Sequence, residues 1–250
     1  MLNSCHTGPR WFAAFLLVAL GWSCGAVAAT DELQTANYQQ AVASPIRTDE
    51  DRQADARRKP LEFLQFTGVR PGMRVLDVAA GGGYTTQLLA LAVGSNGMVW
   101  AQATKSRPAL EERLAHHPQA NIVPVVRAFD DPIPEGANKL DLITIIMNYH
   151  DITYQPVDRT KMNQRLFDAL RPGGHLVVLD HSAKPGSGAS AAKSLHRIDE
   201  KFVVDELTLA GFQLERTGDF LKHPDDPREQ AFFDMKTPSD QFALRFVKPN

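Results

Sequence analysis

Between residues 74 and 180, short aliphatic and β-branched runs alternate with helical stretches, and this alternation leaves few architectures open to the chain. Strands are expected at Arg74 to Val78, Gly97 to Ala101, Asn121 to Arg127, Leu140 to Met147 and His175 to Asp180. Helices are expected over Tyr84 to Ala92, Pro108 to His116 and Asp158 to Leu170. Runs such as Leu140 to Met147 are apolar at nearly every position, the pattern of a strand buried on both faces. The order implies a parallel sheet wrapped by helices. An amphipathic helix from about Ser194 to Ala210, ended by Gly211, leads into two further strands, Phe212 to Thr217 and Phe242 to Val247. Upstream, Thr48 to Asp51 has capping-box spacing, Pro60 opens a helix over Leu61 to Thr67, and Gly68 stops it.

The chain has 250 residues with 43% hydrophobic and 22% charged, which suits one globular domain. A formal charge of -2 gives no strong electrostatic pull toward nucleic acid. At the N-terminus Arg10 precedes the apolar run Trp11 to Trp22 and then Ala26-Val27-Ala28, the layout of a secretory signal spanning residues 1–28. The run falls short of the roughly 20 residues of a bilayer span, so no transmembrane segment is expected. Both cysteines, Cys5 and Cys24, lie inside the signal, so a cleaved chain carries no thiol. An alternative makes Cys24 a lipid-bearing N-terminus, although Gly21 stands where such signals usually carry Leu. Residues 29–47 are read as a polar, loosely held arm and 48–250 as the folded domain, exported to the periplasm or beyond.

The stretch Val75-Leu76-Asp77-Val78-Ala79-Ala80-Gly81-Gly82-Gly83-Tyr84 is a buried strand ending near an acid, then small residues, then a helix. In open α/β sheets the crevice past such a strand holds the ligand. A phosphate-binding P-loop would need Lys and Ser or Thr after the glycines, where this chain has Tyr84-Thr85-Thr86. A dinucleotide site would need G-x-G-x-x-G spacing, which Gly81-Gly82-Gly83 lacks. S-adenosylmethionine, which has an aminocarboxyl group and a sulfonium but no phosphate, suits Asp77 and its small neighbours better.

On these residues the chain resembles the class I S-adenosylmethionine-dependent methyltransferases. Val75 to Gly83 is similar to their first motif, Leu170-Arg171-Pro172-Gly173-Gly174-His175-Leu176 to their turn before strand five, and Ala210-Gly211-Phe212 to their entry into strand six. Asn148-Tyr149-His150-Asp151, Asp180-His181-Ser182 and Leu195 to Glu200 resemble a group of exported bacterial methyltransferases known as such by prediction. The resemblance implies a Rossmann-like α/β sheet of seven strands, six parallel and the last antiparallel, with helices on both faces. It implies that Asp77, Ala79, Gly81 and Gly83 line the methionine end of the cofactor, Ala79 replacing the usual first glycine. The usual ribose acid falls at Ala103, leaving Gln102 as a neutral substitute. Asp130, after strand three, is implied at the adenine, and Asn148 at cofactor or substrate. Tyr149 is a candidate to pack on the adenosyl group.

His150 and Asp151 follow strand four, while Asp180 and His181 follow strand five, on the sheet edge that carries the glycine turn. His196 and Asp199 are expected at i, i+3 spacing on the next helix, closing over them. This gives His150, Asp151, His181 and His196 as the catalytic candidates, with His150 as a general base titrating near neutrality and Asp151 orienting it. The same side chains are also of the types that ligate a divalent metal, an option ranked second for want of a local metal motif. The expected function is methyl transfer to a small-molecule acceptor. The alternatives are a catalytically silent periplasmic ligand-binding protein on the same scaffold and a metal-dependent hydrolase. The loop from His223 to Asp240 is long enough to cover the pocket.

Overall fold

The computed structural model describes residues 1–2 and 23–250, with side chains from residue 32 onward in its first helix. The apolar run of the expected signal lies outside the described residues. The elements in order are α1 (Ser23–Ala43), α2 (Asp49–Arg58), α3 (Pro60–Thr67), β1 (Arg74–Val78), α4 (Tyr84–Val93), β2 (Met98–Ala103), α5 (Pro108–His116), β3 (Ile122–Val126), β4 (Leu140–Ile146), α6 (Tyr149–Thr153), α7 (Arg159–Ala169), β5 (Leu170–His181), α8 (Ala192–Leu195), α9 (Glu200–Leu209), β6 (Gln213–Gly218), a single 3-10 turn (Phe232–Asp234) and β7 (Gln241–Val247). The sheet order is β3-β2-β1-β4-β5-β7-β6. β7 runs antiparallel to both its neighbours, so six strands are parallel and one opposes them.

The strands send alternate residues to opposite faces and so feed two cores. Leu76, Val78, Ile143, Ile145, Val178 and Phe246 pack with Met162 and Leu166 of α7 and Val203 and Leu207 of α9. Val75, Leu142, Val177, Leu179 and Ala243 pack with Phe63 and Leu64 of α3 and Leu88 and Leu89 of α4. Pro124, which has no N–H to donate, is tolerated because β3 is an edge strand.

Two expectations are corrected. Residues 29–47 are not a loose arm, because most of them belong to α1, whose Tyr38 and Ala41 are buried in the second core. The Tyr38 hydroxyl donates to the Val69 carbonyl at 2.7 Å and Asn37 Nδ2 to the Ala92 carbonyl at 2.9 Å. Composition hid this helix because only one narrow face of it is apolar.

The helix expected over Ser194 to Ala210 is broken. α8 ends at Leu195, His196 adopts φ 51°, and Asp199 caps α9 by accepting from the Lys201 N–H at 3.0 Å. Ile198 instead bridges Ser182 in parallel, extending the end of β5. A turn of backbone pairing with the sheet replaces the helical hydrogen bonds, so His196 and Asp199 do not share a helix face. No helix among the described residues is long and apolar enough to cross a membrane.

Candidate functional site

The β1–α4 turn is built on left-handed backbone at Ala79 (φ 58°), Gly81 (φ 59°) and Gly83 (φ 87°). The turn opens a cleft of about 390 Å³ lined by Asp77, Ala79 to Gly82, Tyr84, Thr85, Ile146 to Asn148, Arg58, Arg113 and Phe232. That volume is in the range of small-molecule sites. A side chain at Gly81 would meet nothing nearer than the Ala79 carbonyl at 3.9 Å, so the missing Cβ leaves space for a ligand. At Gly83 a Cβ would lie 2.7 Å from Leu110 Cδ1. Gly83 is favoured by its φ of 87° and by the close approach of α5, and it is not among the residues lining the cleft. Ala79 pays for a conformation that disfavours any Cβ, about 1–2 kcal/mol. Ala79→Gly is thus expected to stabilise the chain by about 1 kcal/mol after glycine's entropy cost, read as a higher urea midpoint at unchanged slope. An unchanged or lower midpoint would refute the strain at this position.

Asp77 is buried, and its carboxylate accepts from Thr86 Oγ1 at 2.6 Å and Thr144 Oγ1 at 2.8 Å. Burial pushes it up to about 6, against the lowering effect of the two hydroxyls. Asn148 closes the other wall, its Nδ2 donating to the Ile146 carbonyl at 2.9 Å. Both residues line the cleft.

Gln102 does not. It is fully buried, its Oε1 accepts from the Ala79 N–H at 3.0 Å, and its Nε2 donates to the Arg127 carbonyl at 2.7 Å. Its amide clamps the strained turn and has no group turned to a ribose. Asp130 lies outside the cleft lining and pairs with Lys161 at 3.2 Å. Tyr149 is a core residue, its hydroxyl donating to Glu206 Oε2 at 2.9 Å.

Arg113 was missed, and Arg57-Arg58-Lys59 reads from the sequence as a solvated helix face or as one that could touch a cofactor edge, the second of which Arg58 fits by lining the cleft. Arg58 lines the cleft with its guanidinium over the Tyr84 ring, 4.8 Å from the centroid, and burial lowers its pKa. Arg113 of α5 donates to both Asp51 oxygens at 2.6 and 2.8 Å and to the Gly82 carbonyl at 2.8 Å, tying α2 to the glycine turn. Both arise from long-range contacts that no local pattern announces.

Beside the cleft, α6 and the ends of β5 and α8 assemble the histidines. His150 is buried, with Nδ1 2.6 Å from Asp180 Oδ1, its backbone N–H donating to Asp180 Oδ2 at 2.8 Å, and Nε2 3.1 Å from Asp151 Oδ1. Burial alone would lower its pKa, but the two carboxylates raise it to about 9. The expected free imidazole titrating near neutrality is therefore not what the fold holds, and Asp180 rather than Asp151 orients the ring. Asp151 is held down at about 2 despite partial burial, by His150 and by the Tyr154 hydroxyl, which donates at 2.7 Å. His196 Nδ1 approaches the same oxygen at 3.0 Å. His181 joins this group only at its edge. Its Nδ1 lies 2.7 Å from Ser239 Oγ, its ring stacks on Phe232 with centroids 3.9 Å apart, and burial depresses it to about 4. Phe232 thus links the histidines to the cleft.

The loop from His223 to Asp240 reaches the cleft through Phe232, and it is fastened to the domain. Arg197, fully buried, pairs with Asp226 at 2.8 Å and donates to the carbonyls of Ser182 and Gln230 at 2.9 and 2.7 Å. Arg228 pairs with buried Asp240 at 2.6 Å.

Residues 56–197 match the profile of the ubiE/COQ5 methyltransferase family. The chain is 32% identical over 185 residues to the ubiquinone/menaquinone biosynthesis C-methyltransferase UbiE of Proteus mirabilis, covering 69% of this chain and 70% of that protein. It is 36% identical over 126 residues to the UbiE of Ectopseudomonas mendocina, covering 50% of this chain and 47% of that protein. Against several such relatives the chain spans about half their length. A crystal structure of a SAM-dependent methyltransferase from Aquifex aeolicus superposes with a TM-score of 0.55 at 20% identity, covering 75% of this chain and 88% of that one, and shows the same fold. With the profile covering more than half of its residues and a 32% identical relative aligned over more than two thirds of both chains, the chain belongs to the ubiE/COQ5 methyltransferase family.

Proposed function

We propose that the chain transfers a methyl group from S-adenosylmethionine to a small aromatic acceptor bearing a ring hydroxyl. The observation that carries the cofactor is the cleft at the glycine turn, where Asp77 faces space that the missing side chain of Gly81 leaves open. These residues fit the methionine end: a carboxylate for its cationic groups, exposed backbone for close approach, and the Arg58 guanidinium for its carboxylate. When bound, S-adenosylmethionine supplies an electron-poor methyl on sulfur, and the protein's part is to hold it and the acceptor in line. Asn148 and Met147 form the wall past the turn, and Phe232 is the flat apolar surface at its mouth. With Gln102 occupied and alanine at 103, the ribose hydroxyls meet no acid at the end of β2, so affinity concentrates on Asp77.

The acceptor class is supported by the relatives' names, C-methyltransferases of quinone biosynthesis, and by the rings of Phe232, Phe233 and Tyr154 around His196. Family membership favours methyl transfer over a silent ligand-binding scaffold or a hydrolase. The chain is further proposed to be exported, on the basis of Arg10, the Trp11 to Trp22 run and Ala26 to Ala28. A cut after Ala28 keeps Asn37, Tyr38 and Ala41, the α1 residues that pack on the domain. Fractionation of cells carrying a tagged full-length chain tests this: tag confined to the cytoplasm with Met1 to Ala28 retained would overturn export.

The activity is tested by incubating the protein with S-adenosylmethionine and either hydroxylated aromatic or aliphatic acceptors, following demethylated cofactor by mass spectrometry. Turnover with the aromatic set, abolished in a folded Gly81→Val variant that fills the cleft, is the expected result. A folded wild-type chain that binds no S-adenosylmethionine would overturn it.

A further inference from the structure

Asp151 Oδ1 is approached by three groups: His150 Nε2 at 3.1 Å, His196 Nδ1 at 3.0 Å and the Tyr154 hydroxyl at 2.7 Å. A carboxylate oxygen offers about two lone pairs, so two ring protons and the Tyr154 hydroxyl overfill it, while a neutral His150 with its proton on Nδ1 toward Asp180 turns a lone pair of Nε2 against it. One cation in place of the two imidazole protons resolves the conflict, since it would be shared by the oxygen and both rings while Tyr154 keeps its hydrogen bond. The spacing agrees. Zinc bonds of about 2.0–2.2 Å at tetrahedral angles set ligand atoms roughly 3.3 Å apart. Here both imidazole nitrogens stand 3.0–3.1 Å from the oxygen, and all three atoms lie within 4.8 Å of one another.

The surroundings have the second layer that metal histidines use. Fully buried Asp180 takes His150 Nδ1 at 2.6 Å and the backbone N–H groups of His150 and His181 at 2.8 Å each. This fixes the ring with Nε2 directed at Asp151 and raises its strength as a ligand. His196 reaches the group from another element only because its backbone is left-handed, a strained state for a residue with a Cβ. Two imidazoles and one carboxylate favour zinc and its neighbours over magnesium or calcium, which take oxygen ligands.

We propose that His150 Nε2, Asp151 Oδ1 and His196 Nδ1 form a three-ligand site for a divalent transition metal of the zinc class, with Asp180 as the outer carboxylate. Three protein ligands leave a position for water or a ligand oxygen, as catalytic zinc sites do. The site does not depend on the methyl-transfer reading, because its residues are separate from the glycine cleft.

The test is a cobalt titration of chelator-treated full-length protein with Cys5→Ser and Cys24→Ser, so that no thiolate contributes. Expected is a visible absorption band that saturates at one cobalt per chain and is bleached by zinc. Asp180→Asn should weaken binding roughly 10–100-fold. His196→Ala, checked to be folded by its far-UV circular dichroism, should abolish the saturable band. A double replacement of exposed His116 and half-buried His117 by alanine should leave it unchanged. A folded wild-type chain with no saturable band, or His196→Ala with wild-type cobalt affinity, would overturn the proposal. Calorimetry with S-adenosylmethionine on the same samples reports the glycine cleft separately.

Discussion

Arg197→Ala is expected to destabilise the chain by about 3–5 kcal/mol, the usual cost of stranding one member of a buried ion pair. Arg197 and Asp226 have side chains 0% and 1% exposed, and the guanidinium also satisfies the carbonyls of Ser182 and Gln230 and contacts Met235 Sδ at 2.8 Å. Removing it leaves the buried Asp226 carboxylate without this cation, held only by the Arg228 and Asp240 backbone N–H groups at 2.9 and 2.6 Å, and loosens the strap that carries Phe232. For a chain of this size the loss lowers the melting temperature on the order of 10 °C. Replacing the pair together, Arg197→Met with Asp226→Leu, removes both charges but leaves the Arg228 and Asp240 N–H groups and the Ser182 and Gln230 carbonyls without these partners, so it should recover only part of the loss. A single variant that melts within about 2 °C of wild type would show that the strap is held by something else.

The second large effect lies at Asp77. Its carboxyl titrates at about 6 in the folded chain against 3.8 for an unperturbed one. A ligand that brings an ammonium or sulfonium to this carboxylate favours the ionised form. S-adenosylmethionine affinity should therefore fall roughly tenfold per pH unit below about 6 and level off above it. Asp77→Asn should abolish that slope and weaken binding roughly 10–100-fold at alkaline pH, the worth of a hydrogen bond to a charged group. Calorimetry between about pH 5 and pH 8 reads both, and a slope that persists in Asp77→Asn would remove Asp77 from the site. The same shift acts on the ligand-free fold. Because the folded chain holds the Asp77 proton more tightly than the unfolded chain, the contribution to stability is whole below 3.8 and is lost as pH rises through about 6. In Asp77→Asn that decline should be missing.

Much of the sheet was legible in the chain. β1 and α5 fall on their expected residues, and β4 and β7 within one residue of them, because buried strands and Pro-initiated helices carry dense local signals. The misses share a cause. α1 was read as an arm because its polar faces outnumber the stripe that Tyr38 and Ala41 bury. α6 was not expected at all, since five residues make too short a period to register, yet it is the element that turns His150 toward Asp180. The helix over Ser194 to Ala210 broke because pairing of Ile198 with Ser182 overrode a continuous helical pattern.

At the site, the sequence by itself identified Asp77, Gly81 and Asn148 as the wall of a cleft, because a strand, a tight turn and a helix place their ends within a few residues of one another. It also brought His150, Asp151, Asp180 and His181 to one sheet edge, since successive parallel strands must end on the same side, whereas His196 reaches them from a break between α8 and α9 and not from the helix expected there. Only the tertiary structure decided what those groups are for. Gln102 is spent on the Ala79 N–H and the Arg127 carbonyl, Asp130 turns to Lys161, and His150 is held between the carboxylates of Asp180 and Asp151. Local patterns set which backbone forms and on which edge it ends. Whether a polar atom is free depends on partners 25 to 45 residues away, such as Arg127 for Gln102 and Asp151 for His196, and those partners come within reach only when the sheet closes.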